Sequence, residues 1–331
     1  MDKVIEDPFA KPAVFAFSLI GVLYVSAKIF SFWRMIASVF ILPGESFSKY
    51  GRRGSWAIVT GASEGIGKEY ALQLAAKGFN ILLVSRTQSK LDDVAQQIKA
   101  KHASIQTQTF AIDFSAPTED AYAKLGKAIE ALDVAVLINN VGQSHSIPVP
   151  FSLTPVPELE AIIRINCLAT LRMTQLVVPG MQLRKRGLIL TMASFGGILP
   201  TPLLATYSGS KAFLQHWSSA LSAELASSGV RVQLVQSYLV TGAMSKIKRP
   251  SSTIPTPRDF VRAALAKIGR SGGAQGIVAT SSPYWSHAVL HWFLLQVGTM
   301  SGTVARFNRG FHESIRKRAL RKAEREGKKA Q

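Results

Sequence analysis

From Ser55 onward, short apolar runs alternate with helix-length amphipathic stretches. The runs fall at Trp56 to Thr60, Ile81 to Ser85, Thr107 to Ile112, Val134 to Asn139, Leu188 to Ala193, Val230 to Gln236 and Gly276 to Thr280. They are rich in Val, Ile and Leu without polar alternation, as strands covered on both faces must be. Strands that alternate with helices and are joined by right-handed crossovers predict an α/β fold with a doubly wound, seven-stranded parallel sheet over residues 55–280. No internal repeat or low-complexity linker interrupts that stretch.

The flanks follow a different pattern. Residues 13–42 form a long apolar run broken only by Lys28 and Arg34, behind a leader over 1–12 that carries Asp2, Glu6 and Asp7. A secretory signal needs a basic start, a short apolar core and a small-residue cleavage site, and this run has none of these. It predicts a retained transmembrane helix: Ala13 to Trp33 would span about 30 Å, with Lys28 near its end to snorkel. Lys28, Arg34, Lys49, Arg52 and Arg53 lie downstream against Lys3 and Lys11 upstream, which places the main domain in the cytosol and the short leader in the lumen. Residues 283–304 are apolar too, but they contain His287, His291 and Gln296. Were they to cross the bilayer, the basic tail at 305–331 would be lumenal, against the positive-inside tendency. The segment is therefore expected to be a membrane-associated helix lying in the interface, its basic tail on anionic lipid. His287 and His291 have the i, i+4 spacing of metal ligands, yet no third ligand accompanies them, so ordinary interfacial histidines are expected and no metal.

Composition narrows the classes. Of 331 residues, 47% are hydrophobic and 18% charged, which excludes a disordered chain, and the single Cys167 excludes a disulfide scaffold and points to a reducing compartment. The formal charge of +19 invites a nucleic-acid reading. The excess lies mainly in two blocks, net +7 over 306–329 and net +6 over 246–270, and neither is interleaved with aromatic residues as a base-stacking surface would be. No nucleic-acid partner is expected.

The first strand runs into Thr60-Gly61-Ala62-Ser63-Glu64-Gly65-Ile66-Gly67, with a helix expected from Lys68 to Lys77. Three glycines carry little by themselves, but between a strand and a helix they let the backbone approach a pyrophosphate that the helix N-terminus attracts. The second strand ends in Ser85-Arg86, where a site for NAD would place an acid on the ribose hydroxyl. An arginine there suits the additional phosphate of NADPH, so NADPH preference is expected, with Arg86 and Ser85 responsible. Asp113 follows the third strand, placed to meet the adenine amino group, and Asn139-Asn140-Val141-Gly142 closes the fourth at the crevice where open α/β sheets bind ligands.

Ser194 follows the fifth strand, and Tyr207-Ser208-Gly209-Ser210-Lys211 comes thirteen residues later. Tyr207 and Lys211, at i and i+4, share one helix face. A phenol is a weak acid toward a carbonyl becoming an alkoxide, and a neighbouring ammonium lowers its pKa; Lys211 is therefore expected to tune Tyr207. Ser194 would donate to the carbonyl oxygen as it gains charge, and Asn166 would hold a water that relays protons to Lys211. The Tyr-x-x-x-Lys spacing is cheap, since Tyr24 and Lys28 also match it. The order of all the motifs carries the weight.

That order resembles the short-chain dehydrogenase/reductase family over residues 55–280. The resemblance implies a Rossmann-type fold, hydride transfer from a nicotinamide, and Asn166, Ser194, Tyr207 and Lys211 as the catalytic tetrad. The cofactor-binding set it implies is Gly61, Ser63, Gly65, Ile66, Gly67, Ser85, Arg86, Asp113, Asn140, Tyr207, Lys211, Val240 and Thr241. The Pro-Gly usual after the sixth strand is replaced by Ser237-Tyr238, which puts the shape of the nicotinamide loop in doubt.

The anchor, Tyr238-Leu239-Val240-Thr241 and the tail Ser314-Ile315-Arg316-Lys317-Arg318-Ala319-Leu320 resemble a narrower family, the fungal-type very-long-chain 3-oxoacyl-CoA reductases of microsomal fatty-acid elongation. This implies a long acyl-CoA substrate, the endoplasmic-reticulum membrane and other elongation enzymes as partners. The 17-beta-hydroxysteroid dehydrogenases are also similar, so a 17-ketosteroid stays open as the substrate, as does a catalytically silent membrane scaffold. CoA is a large anion, and Lys246, Lys248 and Arg249 are placed to attract its phosphates, although the same loop could face anionic lipid. His145 is expected near the pocket without a role. The ending Lys328-Lys329-Ala330-Gln331 resembles a dilysine retrieval signal of the endoplasmic reticulum.

Overall fold

Each strand sends alternate side chains to opposite faces, and here both sets are apolar. Ala57, Val59, Ile81 and Leu83 pack with Tyr70, Leu74, Leu91 and Phe260 on one face. Ile58, Leu82, Leu137 and Ile189 pack with Leu125, Met173, Val177 and Met181 on the other. A computed structural model describes residues 10–329. Its strands are β1 (Trp56–Thr60), β2 (Asn80–Ser85), β3 (Thr107–Ala111), β4 (Val134–Asn139), β5 (Gly187–Met192), β6 (Val230–Val235) and β7 (Thr280–Ser281). They pair in parallel in the order β3-β2-β1-β4-β5-β6-β7, the expected doubly wound sheet. The order reverses between β1 and β4, so a crevice opens beyond their carboxyl ends.

The helices are α1 (Ala10–Ile36), α2 (Gly65–Ala76), α3 (Gln88–Lys101), α4 (Glu119–Glu130), α5 (Val156–Ile163), α6 (Ala169–Leu183), α7 (Ala205–Leu225), α8 (Pro257–Ala266), α9 (Trp285–Val297) and α10 (Gly302–Lys329). Between residues 55 and 280, two boundaries differ from expectation by more than one residue. The helix after the phosphate turn begins at Gly65, not Lys68, because the turn itself supplies the first helical residues. The seventh strand was expected over Gly276 to Thr280, but Gly276 and Ala279 adopt left-handed φ of 81° and 52°, which breaks an extended run and confines pairing to Thr280 and Ser281.

Helix α1 continues through a widened π-helical turn, Ala37–Ile41. Together they make 32 residues whose most apolar stretch has a mean hydropathy of 2.0 and is not buried at all, long and apolar enough to cross a bilayer. The stretch Val156–Leu183 is also long and apolar, but half of it is buried, and it forms a core layer. At its C-terminal end the Ala10–Ile41 helix is fastened to the domain. Ser38 Oγ accepts the Gly272 N–H at 2.9 Å, Gly44 N–H donates to Ala266 O, and Arg231 pairs with Glu45.

The apolar segment 283–304 is not one helix. Helix α9, at 13 residues too short to span, ends at Gly298 (φ 85°), and α10 begins at Gly302. His287 and His291 are buried in the core rather than interfacial: they lie on the side of α9 that faces the catalytic domain, while Val289 and Phe293 are exposed. Most of the expected leader, and the end of the dilysine sequence, lie outside the described residues.

Candidate active site

At the crevice a cleft of about 660 Å³ opens, lined by Gly61, Ser63, Gly65, Ile66, Ser85, Arg86, Asp113, Asn140, Ser194, Tyr207, Lys211, Val240 and Thr241. Gly67 and Asn166 are the two expected site residues that do not line it.

The turn after β1 has the properties of an anion cradle. Gly61 and Gly65 sit at φ 64° and 59°, conformations strained for any other residue. A Cβ on Gly67 would lie 2.1 Å from Gly61 O, so this glycine lets α2 close against the turn rather than touching a ligand. No side chain caps α2 and no acid occupies its first turn, which leaves the N–H groups there to an anion. The amide of Asn140 donates to Thr60 O at 3.0 Å and Gly61 O at 3.3 Å, fastening the end of β4 to that of β1. The Ser63 and Ser85 hydroxyls meet at 3.0 Å, joining the turn to the end of β2.

Beyond Ser85, Arg86 is exposed and its guanidinium lies 4.0 Å from the Asp113 carboxylate. Burial works to raise the Asp113 pKa, but the Ser115 hydrogen bonds and the Arg86 charge outweigh it and hold the carboxyl below its usual value. These groups fit a dinucleotide: N–H groups and glycines for the pyrophosphate, and a cation at the end of β2 where an additional phosphate would sit.

The other half of the cleft holds the chemistry. Ser194 begins a tight turn, its Oγ accepting the Gly196 N–H at 3.1 Å. A Cβ on Gly196 would lie 3.1 Å from Tyr207 Cε1, so a side chain there would crowd the ring. Tyr207 and Lys211 share the cleft-facing side of α7, with Lys211 Nζ 5.9 Å from the Tyr207 ring centroid. Nζ donates to Met192 O at 3.0 Å. Burial pushes Lys211 down to about 8 and pushes the Tyr207 phenol up, the Ser194 hydroxyl working against that rise. The expected lowering of Tyr207 by Lys211 is therefore not found: burial dominates the phenol, and the ammonium stands 5.9 Å from its ring centroid.

Asn166 is wholly buried in the π-helical turn Arg164–Leu168, where Oδ1 accepts the Gln143 N–H at 2.8 Å and Nδ2 donates to Gln143 O and Ser210 Oγ. With both amide hydrogens used, its side chain braces the loop after β4 against α7. His145 is buried away from the cleft, its Nδ1 2.8 Å from Glu158 Oε1. Lys246 is tied to Ser146 O at 2.6 Å, while Lys248 and Arg249 are exposed.

Sequence reasoning missed the third wall. Asn308, Phe311 and His312 of α10 line the cleft. Asn308 Nδ2 donates to Pro200 O at 2.9 Å, and Arg316 donates to Pro148 O at 2.8 Å, so the first half of the tail expected to face lipid also packs on the domain. The spacing 308, 311, 312 on one helical face was the available signal, hidden by the surrounding basic residues.

An acid–base pair over a phosphate cradle, at the switch point of a doubly wound sheet, defines the class: a dinucleotide-dependent oxidoreductase. The sequence model of the short chain dehydrogenases matches residues 55–252, and the chain belongs to that family. It is 59% identical to the very-long-chain 3-oxoacyl-CoA reductase of Pyrenophora tritici-repentis over 98% of this chain and 96% of the relative. It is 61% identical to the protein of that name from Ajellomyces capsulatus over 99% of each. Among solved structures, a short-chain dehydrogenase from Sphingobium yanoikuyae in complex with NADPH superposes with a TM-score of 0.61 at 25% identity, covering 73% of this chain and 92% of that one.

Proposed function

We propose that the protein reduces very-long-chain 3-oxoacyl-CoA to 3-hydroxyacyl-CoA with NADPH, as a membrane-bound enzyme of the endoplasmic reticulum that works beside other enzymes of fatty-acid elongation. The observation that carries this reading is near full-length identity of about 60% to fungal reductases of that name, joined to a cleft with Tyr207, Lys211 and Ser194 along one wall.

Bound NADPH supplies the hydride. The N–H groups of the Gly61–Gly67 turn would hold its pyrophosphate, and Arg86 and Ser85 its additional phosphate. Ser194 Oγ positions the 3-oxo oxygen and donates to it as negative charge develops there. Tyr207, protonated across the physiological range, transfers its phenolic proton to that oxygen. Lys211 in its ammonium form stabilises the phenolate left behind and orients the ribose. Asn166 fixes the loop and the helix that hold these groups apart.

Anchor and charge support the location. An apolar helix precedes the domain, basic residues follow it, and α10 carries the basic tail on the domain's own side, which favours a cytosolic catalytic domain and a cytosolic dilysine ending. Lys246, Lys248 and Arg249 lie in the loop that borders the cleft and would attract the CoA phosphates.

NADPH oxidation by the reconstituted protein with a long 3-oxoacyl-CoA and, separately, with a 17-ketosteroid tests the reading. Turnover of the acyl-CoA is expected. Turnover of the steroid alone would transfer the protein to steroid chemistry, and NADPH binding without turnover of either would remove the claim of substrate.

A further inference from the structure

The cleft is supported from below by a part of the molecule with no chemistry of its own. After β6 the chain runs through Ser237 and Tyr238 to Val240 and Thr241 along the cleft. The Tyr238 N–H donates to His287 Nδ1 of α9 at 3.3 Å. The same segment is tied to the Ser194 turn: Phe195 N–H donates to Ser237 O at 3.0 Å, and Ser237 Oγ donates to Ala193 O at 3.1 Å. Beneath both, the Phe195 ring packs on Tyr238, His287 and His291 with centroids 5.5, 6.2 and 5.4 Å apart.

The two histidines are almost wholly buried, at 1% and 0% exposure. His291 Nδ1 is fixed by the Ser282 hydroxyl at 2.6 Å. On its other side α9 abuts the anchor, Trp292 stacking edgewise on Phe32 at 5.1 Å and its Nε1 donating to Ser31 Oγ at 3.1 Å. The helix is thus wedged between the membrane anchor and two cleft segments.

We propose that His287 is a positioning residue: by accepting the Tyr238 N–H it fixes the course of Ser237 to Thr241, and so the surface these residues present to the nicotinamide end of NADPH. An imidazole that accepts through Nδ1 carries its proton on Nε2 and must be neutral. Burial supplies that condition, pushing the ring down to about 4. The alternative, a histidine that merely fills space, would make no use of Nδ1. The inference rests on the proposed function only for its cofactor.

NADPH affinity of the full-length protein in detergent, read by fluorescence titration, tests it independently of any acyl substrate. His287→Leu keeps bulk and removes the acceptor, stranding a buried N–H, and is expected to weaken NADPH by about tenfold. His287→Asn returns an acceptor at the Nδ1 position and is expected to bind within about threefold of the wild type. His287→Gln, whose oxygen falls where Nε2 was, should be as weak as Leu and takes its place if the Leu variant does not fold. Unchanged affinity in the folded Leu or Gln variant, or an Asn variant as weak as these, would overturn the proposal. Wild-type protein that binds NADPH yet leaves 3-oxoacyl-CoA untouched would instead sink the substrate reading.

Discussion

Tyr207 and Lys211 sit one helical turn apart, and burial acts on them in opposite senses. The phenol rises and stays protonated; the amine falls to about 8 and stays charged only below that value. Because kcat/KM for NADPH reports the enzyme before the cofactor binds, it should hold through neutral pH and fall above pH 8 as Lys211 loses its proton, which a pH profile of that ratio checks. A profile flat to pH 9.5 or so would separate Lys211 from the reaction. Arg86 is exposed and faces Asp113 at 4.0 Å, so it is available to a ligand. Arg86→Asp is expected to weaken NADPH by about tenfold, roughly 1.4 kcal/mol, and NADH far less, measured by titration with each.

Among the elements, the fit of α2 into its turn depends on the absence of one side chain. Gly67→Ala would press a methyl group onto Gly61 O and the Asn140 amide, at 2.1 and 2.5 Å before relaxation. A loss of about 1–3 kcal/mol of stability is expected, seen as a lower Tm, with weaker NADPH binding. The strands were readable because buried parallel strands are apolar on both faces, so Trp56 to Thr60 and Val134 to Asn139 announce themselves in composition. The seventh was misplaced because Gly276 to Ala279 is equally apolar, and a left-handed φ at Ala279 leaves no trace in sequence. Residues whose chemistry is carried by type, such as Tyr207, Lys211 and Arg86, were legible at the cleft. The contacts of the Asn166 amide with Gln143 and Ser210 were not, since only the fold brings those groups together. Nor was α10, whose charge suggested lipid while Phe311 and His312 turned to the cleft.

At the scale of the molecule, the apolar N-terminal helix is fastened to the catalytic domain. Ser38, Gly44 and Glu45 fasten the lower end of the anchor to the turns around Ala266 to Gly272, and Trp292 holds its flank. The exposed apolar faces of α1 and α9 add to this a surface that water does not favour. The protein should therefore stay with membranes through high-salt and alkaline washes and leave them only in detergent, and release by salt alone would show that the basic regions, not α1, hold it there.

In the proposed reaction this cleft passes hydride to the 3-oxo carbon of an acyl-CoA while Tyr207 gives the proton. This transfer is tested most directly by supplying NADPH deuterated at the nicotinamide carbon that carries the hydride, with a long 3-oxoacyl-CoA, and locating the label by mass spectrometry. Deuterium is expected at carbon 3 of the 3-hydroxyacyl-CoA, with formation of that product slowed by about 10²–10⁴-fold in Tyr207→Phe and NADPH affinity nearly unchanged. Product without the label, or undiminished formation in Tyr207→Phe, would contradict it.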